Sequence, residues 1–227
     1  MLTLMEEMVL LALDEEKGKI RNSVSLTLGC GLAGALLLEL YLRNKIYAEN
    51  QILSVKNTIP MRDSLLDELT TEISTAKKPE KIEGWITRLY GTSKKKLRSI
   101  LSGLMSKRLL HEEEKRVLFF FRAKRYSLKK PRIKRDLCKR IRSTVLRRHE
   151  PDVRMMCLLS LIHACDWSKL FFEKDQRKEA KARIKDIVMK RPPQHDESSK
   201  SIPQDIRIIV TEAIAKVIQS ASSHAHS

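Results

Sequence analysis

From Gly31 to Leu42 the chain reads GLAGALLLELYL, apolar on every side of a helix, with one acid, Glu39, among the leucines. A helix of that kind cannot lie on a surface and has to be wrapped by other elements. The run is short of the roughly 20 apolar residues that cross a bilayer. It therefore predicts a wholly buried helix over 31–44. MMCLLSLIHACDWSKLFF is equally apolar and predicts a central core helix from about Met155 to Trp167. Two such helices need amphipathic ones around them. The expected fold class is mainly α, a single globular helical domain over 1–219 with one or two β-hairpins, followed by a disordered tail over 220–227.

The rest of the chain supplies the wrapping. Thr3 and Glu6 form a T-x-x-E capping box ahead of Met5, Met8, Val9, Ala12 and Leu13, which predicts a first helix to about Asp14. Glu6 and Glu7 stand where a secretory signal would be apolar, and no basic stretch precedes them, so secretion is not expected. KIYAENQILSV reads as two short strands about Glu49 and Asn50. DSLLDELTTEISTA and KIEGWITRLYG read as amphipathic helices. The order helix-then-hairpin then recurs with Leu104 in the place of Leu40, 64 residues on. Ser93 caps the second helix, with Leu97, Ile100, Leu101 and Leu104 inward. Leu109–His111 pairs with Arg116–Phe121 around an acidic turn, Glu112–Glu114. LCKRIRSTVL continues as a helix, RPPQHDESSKSIP as a loop, and DIRIIVTEAIAKVIQ as the last helix.

Charge narrows the function. Lys and Arg number 45 against 28 Asp and Glu, a net charge of +17, which favours a polyanionic partner. Between Lys115 and Arg148 there are fifteen Lys or Arg and one acid, Asp136. Phosphate is the common denominator of such a run, since arginine forks match its oxygens and lysine supplies a point charge. Phe119, Phe120 and Phe121 precede Arg122, Lys129, Lys130 and Arg132. Three aromatics in a row on a strand leave at least one on the face away from the core. Exposed Phe beside cations suits a lipid interface or a second copy of the chain. Lys94, Lys95 and Lys96 lie in the first turn of a helix, where the dipole disfavours cations by about 0.3–1 kcal/mol each. An anion held by the free N–H groups and these lysines would relieve that conflict.

Catalytic patterns are poor. G-x-G-x-x-G, G-x-x-x-x-G-K and G-x-S-x-G are absent, and Cys157, His163 and Cys165 are spaced so that the histidine leaves the face of the cysteines. The expectation is a non-enzyme without metal or cofactor. The four cysteines lack paired spacing and fit reduced thiols in a cytosolic protein.

In LTLMEEMVLLALDEEKG, LGCGLAGALLLELYLRNKI, DSLLDEL, KIEGWITRLYG, LMSKRLLHEEEKRVLFFF and LLSLIHACD the chain resembles the Golgi phosphoprotein 3 (GPP34) family of phosphatidylinositol 4-phosphate-binding peripheral membrane proteins. The resemblance covers nearly the whole chain. It implies a helical domain with β-hairpins, headgroup binding on a flat basic face, and a protruding hairpin for self-association or membrane contact. It also implies an adaptor that retains membrane proteins by their cytosolic tails, at the cytosolic face of the Golgi in a eukaryote. The family's pocket uses a tryptophan, an arginine in an L-R-G turn and two arginines three apart. Here those positions fall on Ser23 or Val24, on Ala33, and near Lys94 and Leu97. Lys94 alone keeps a charge in place, with Lys95, Lys96, Arg98 and Arg21 as substitutes. The expected ligand is accordingly an anionic lipid, a phosphoinositide by resemblance.

The rival reading is a winged-helix-like nucleic-acid-binding protein, since a basic wing between helices suits a phosphate backbone equally well. Exposed phenylalanines and the acids Glu112, Glu113 and Glu114 favour lipid over DNA.

Overall fold

The computed structural model describes residues 1–117, 121–190 and 205–224, and the side chains of 115–122 and 224 lie outside that description. Helix α1, Leu4–Ala12, starts with the predicted capping box. Glu6 N–H donates to Thr3 Oγ1 at 3.3 Å and Thr3 N–H to Glu6 Oε2 at 3.0 Å. The helix stops two residues before the expected Asp14, because Leu13 is extended and the pair Leu13–Asp14 (β1) bonds to Lys19–Ile20 (β2). Gly18 closes that turn at φ +60°, and a Cβ there would meet the Tyr126 backbone N at 3.1 Å.

Helix α2, Asn22–Leu42, is the axis of the molecule. It begins nine residues before the expected Gly31 and is 21 residues long, so by length and composition it can cross a membrane, contrary to the sequence expectation. In this fold the other helices wrap it. Gly34 lets them approach: a Cβ there would collide with Ile214 and Leu161 side chains. The one acid in its apolar run, Glu39, is 3% exposed and fully used. Its Oε2 accepts the orphan N–H of Leu4 at 2.8 Å and Arg154 Nη1 at 3.3 Å, while Oε1 accepts Arg43 Nε at 3.0 Å. Arg154 Nη2 also donates to the Leu2 carbonyl and to Glu7 Oε2. A buried carboxylate thus ties three helices together where an unpaired one would cost several kcal/mol.

The predicted repeat is real down to its hydrogen bonds. At the end of α2, Lys45 N–H donates to Leu40 O and Asn44 N–H to Tyr41 O. At the end of α5, Ser93–Ser106, Leu109 N–H donates to Leu104 O and Arg108 N–H to Met105 O. Both are Schellman endings, with Asn44 and Arg108 left-handed at φ 54° and 55°. Each launches a hairpin: β3 (Ile46–Glu49) with β4 (Ile52–Val55), and β5 (Leu110–Val117) with β6 (Phe121–Leu128).

The second hairpin corrects the expected register. Glu112, Glu113 and Glu114 are not a turn. They lie within β5 opposite Tyr126, Arg125 and Lys124. Acids and bases placed across the ladder stabilise each other, and a turn at Glu112–Glu114 would waste them. RAKRYSL, part of the run of positive charge, is accordingly a strand.

Between the modules lie α3 (Ser64–Ser74), capped by Asp63, and α4 (Ile82–Gly91). After them come α6 (Pro131–Leu146), with proline in its first turn, and α7 (Val153–Ala164), capped by Asp152. A 3-10 turn, Trp167–Leu170, leads to α8 (Arg177–Met189), which the sequence reading did not anticipate. Helix α9, Ile206–His224, extends into the expected tail, four residues beyond Ser220. The loop expected over 191–203 falls outside the described residues. The result is mainly α, with small two-stranded antiparallel sheets, one more than the one or two hairpins expected, around one hydrophobic core running from Leu4 to Val217.

Candidate anion-binding face

Helix starts in this chain divide into two kinds. Helices α1, α3 and α7 accept their own first N–H groups on Thr3, Asp63 and Asp152. Helices α2, α5 and α6 have no side-chain cap and are led by Arg21, by Thr92 before the lysine run, and by Lys130; α4 is also uncapped, behind Lys81. At α5 the expected cap, Ser93, is already the first helical residue. The cap position belongs to Thr92, whose hydroxyl donates instead to Leu89 O at 3.2 Å. Free amide groups, the positive end of the helix dipole and cations therefore coincide.

Lys94, Lys95 and Arg98 are exposed, and spacings of three and four put them on one face of α5. Lys96 is half-buried on another side, and Leu97 packs on the core. Ser93 abuts α2 so closely that a Cβ at Gly29 would lie 2.9 Å from its hydroxyl. Arg21 begins α2 eight residues earlier, about 12 Å along the axis, where it meets Asp14 at 3.6 Å. Asp14 sits below the usual carboxylate range chiefly because the Lys17 N–H bonds to it.

The middle of β6 joins this face. The Arg98 charge reaches Tyr126, whose phenol is pushed up first by burial and then by Glu112. Glu112 holds Lys124 at 2.7 Å, and this bond lowers the Glu112 carboxyl and raises the Lys124 amine. Tyr126 and Lys124 were not among the sequence candidates. Their signal is the match of Glu112 and Glu114 with residues fourteen and ten positions on, visible only once the strands are paired.

The aromatic hairpin and its cations are separated. Lys129 and Lys130 are exposed at the base of the hairpin, and Arg132 is exposed in the first turn of α6. Phe121 and Arg122 lie at the far end of β6, opposite Val117 and Arg116. Eight residues of strand, about 25 Å, stand between the two groups. Phe119 and Phe120 fall outside the described residues. One flat surface touches both groups only if the hairpin lies along it.

The positions to which the resemblance assigns a headgroup pocket hold other side chains, Lys94 excepted. Val24 and Ala33 are buried in the core, Ser23 is exposed, and Leu97 packs inward, which leaves Lys94 as the charged one. Among the described residues no group of three or more His, Cys, Asp or Glu is placed to hold a metal ion. Burial pushes the Cys30 thiol up to about 11 and Cys157 up to about 12, and it lowers His163.

A family model described as Golgi phosphoprotein 3 (GPP34) matches residues 4–221 of the 227. The chain belongs to the Golgi phosphoprotein 3 family. The match runs from the first residue of α1 into the last turns of α9, so both helix–hairpin modules are part of the family domain. This is a Golgi-associated family of trafficking type. The nucleic-acid alternative finds no support in it, and β5 sets three carboxylates along the strand that a DNA-binding wing would present to phosphate.

Proposed function

We propose that this protein is a peripheral membrane protein that reads anionic phosphoinositide headgroups, phosphatidylinositol 4-phosphate or a close relative, on the cytosolic face of Golgi membranes. Bound there, it acts as a trafficking or retention adaptor for membrane proteins with cytosolic tails. The observation that carries the reading is the uncapped start of α5 behind Thr92, with Lys94, Lys95 and Arg98 on one exposed face. A headgroup phosphate there accepts from free backbone N–H groups and from the cations together. Lys96 and Arg21 lie at the margin, and Arg21 is shared with Asp14. Each cation near an anionic surface adds about 1 kcal/mol, so several give reversible binding. Lys129, Lys130 and Arg132 add a second basic contact at the hairpin base. Phe119, Phe120 and Phe121 insert into the bilayer or join a second copy.

Vesicle flotation tests this directly. Lys94→Ala, Lys95→Ala and Arg98→Ala combined should weaken binding to phosphatidylinositol 4-phosphate vesicles by tenfold or more, on the order of 1.4 kcal/mol, and flatten its salt dependence at unchanged Tm. Unchanged binding would move the site away from α5. Equal binding to phosphatidylserine vesicles of matched charge would reduce the proposal to anionic-surface attraction.

A further inference from the structure

Outside the basic face, a trough of about 510 Å³ lies between β4 and the segment that joins α3 to α4. Leu53, Val55, Ile73 and Trp85 line it, and Lys56 and Lys78 stand on its rim. Its wall is an unfinished sheet. Lys56 N–H donates to Lys45 O at 2.8 Å, so the hydrogen-bonded pairs toward β3 are those of Ser54 and Ile52. The backbone groups of Leu53 and Val55 therefore point outward. A third strand begins to cover them. Leu53 N–H donates to Glu80 O at 3.2 Å, Ile82 N–H donates to Gln51 O at 2.9 Å, and Ile52 bridges to Lys81 in antiparallel sense. In that register Pro79 would face Ser54 and Lys78 would face Val55. The pairing stops at Glu80, and no backbone bond joins Lys78 to Val55 among the described residues. Leu53 C=O, Val55 N–H and Val55 C=O are left without a backbone partner outside their hairpin among the described residues.

Two further observations say what would complete the sheet. Trp85 is 1% exposed, and its indole N–H is buried without an acceptor. The rim is cationic in effect. Glu80, the acid that lines the trough, is paired with Arg88, which in turn stacks on the Trp85 ring at 4.5 Å. Lys56 is held by the neutral Asn44 side chain at 2.7 Å, and Lys78 has no acidic partner among the described residues.

We propose that this trough is a strand-addition site for an extended peptide bearing an acidic side chain. The peptide backbone pairs with Leu53 C=O and with Val55, continuing the strand that ends at Glu80, and its carboxylate lies between Lys78 and Lys56. An acceptor carried in by the peptide satisfies the Trp85 indole, which otherwise bears the cost of an unmade hydrogen bond. This site is independent of the headgroup reading at α5.

The test is an amide–proton NMR titration of the full chain with a blocked heptapeptide of alternating valine and threonine with a central aspartate. At millimolar peptide the Val55 amide and the Trp85 indole resonances should shift together. Trp85 is one of two tryptophans, so Trp85→Phe assigns its indole. The same peptide with central lysine should bind about threefold to fivefold more weakly, as an exposed ion pair allows. Val55→Pro removes the outward N–H without touching the bonded pairs to β3 and should abolish the remaining shift, that of the Trp85 indole. A peptide N-methylated along its pairing edge should abolish them on the unaltered protein. The proposal is overturned if neither resonance moves at millimolar peptide. It is equally overturned if aspartate and lysine peptides act alike, if N-methylation has no effect, or if phosphatidylserine bicelles produce the shifts and the peptide does not.

Discussion

The two helix–hairpin modules share a backbone hinge and little else. Laid on each other at the 64-residue offset, Leu36, Leu37 and Leu40 of α2 correspond to Ile100, Leu101 and Leu104 of α5, and all six are buried. The other face differs throughout. Where α2 has Cys30, Gly31, Leu32 and Gly34, all buried, α5 has Lys94, Lys95, Lys96 and Arg98. The hairpins diverge too, with four-residue strands in the first and eight-residue strands in the second. An inward stripe and a Schellman ending suffice to make the module. The two modules differ in whether the outer face is covered, as in the core, or left exposed and cationic.

The sharpest contrast is between Glu39 and its counterpart Gly103. Glu39→Ala leaves the Leu4 N–H and Arg154 Nη1 without their acceptor, and Arg43 Nε as well, and should cost about 3–5 kcal/mol in urea unfolding. Gly34 in the same helix should cost about 1–3 kcal/mol on change to Ala, because its Cβ meets Ile214, Leu161 and Val210. A Cβ at Gly103 has only Glu6 Oε1 near it, at 3.9 Å. Gly103→Ala should therefore stabilise, by about 0.5–1 kcal/mol, through the smaller entropy loss on helix formation. A destabilising Gly103→Ala would show that α5 is held as tightly as α2 and would undo the comparison.

A second contrast is electrostatic. Burial raises the Glu7 carboxyl above its ordinary value of 4.5, against the opposing pull of Arg154. The native state then holds the proton more tightly, so stability falls as pH rises from about that value through the raised one. Glu112 is lowered by its bond to Lys124, so its contribution is present above its ordinary value and is lost as pH falls through the lowered one. The Tm of Glu7→Gln relative to the parent should be higher at pH 7 than at pH 4. That of Glu112→Gln should be lower at pH 7 than at pH 3. Differences of the same sign would mean that one of the two carboxylates sits in the other's kind of environment.

Sequence pattern reveals the parts of this molecule whose information is local. The capping box of Thr3 and Glu6, the stripes of α3 and α4, and the inward pattern within each helix–hairpin module all lie within a few turns of chain. The β5–β6 register does not, because Glu112–Glu114 look like a turn until Lys124, Arg125 and Tyr126 are set against them. The apolar run from Gly31 marks only the later part of α2, whose first turns, NSVSLT, are largely polar. Helix α8 shows only Ala180, Ile184, Ile187 and Val188 inward, among charges. At the site the lysine run was legible as a conflict with the helix dipole. That Thr92 declines to cap and that Lys96 turns aside are consequences of packing.

The smallest expected effect examines the hinge itself. Asn44 and Arg108 occupy the same left-handed position, which costs an ordinary L residue about 1–2 kcal/mol and an asparagine less. Glycine removes that cost but gives up about 0.5–1 kcal/mol of backbone entropy. Arg108→Gly should therefore stabilise by roughly half a kcal/mol. Asn44→Gly should not, since Asn44 already tolerates the conformation and its side chain accepts from Lys56 Nζ at 2.7 Å. Opposite signs in a pair of thermal melts would show that the two hinges share a backbone and differ in their side-chain support. A gain at both positions would mean that the Asn44–Lys56 contact contributes nothing, and that the first hinge, like the second, rests on its backbone hydrogen bonds.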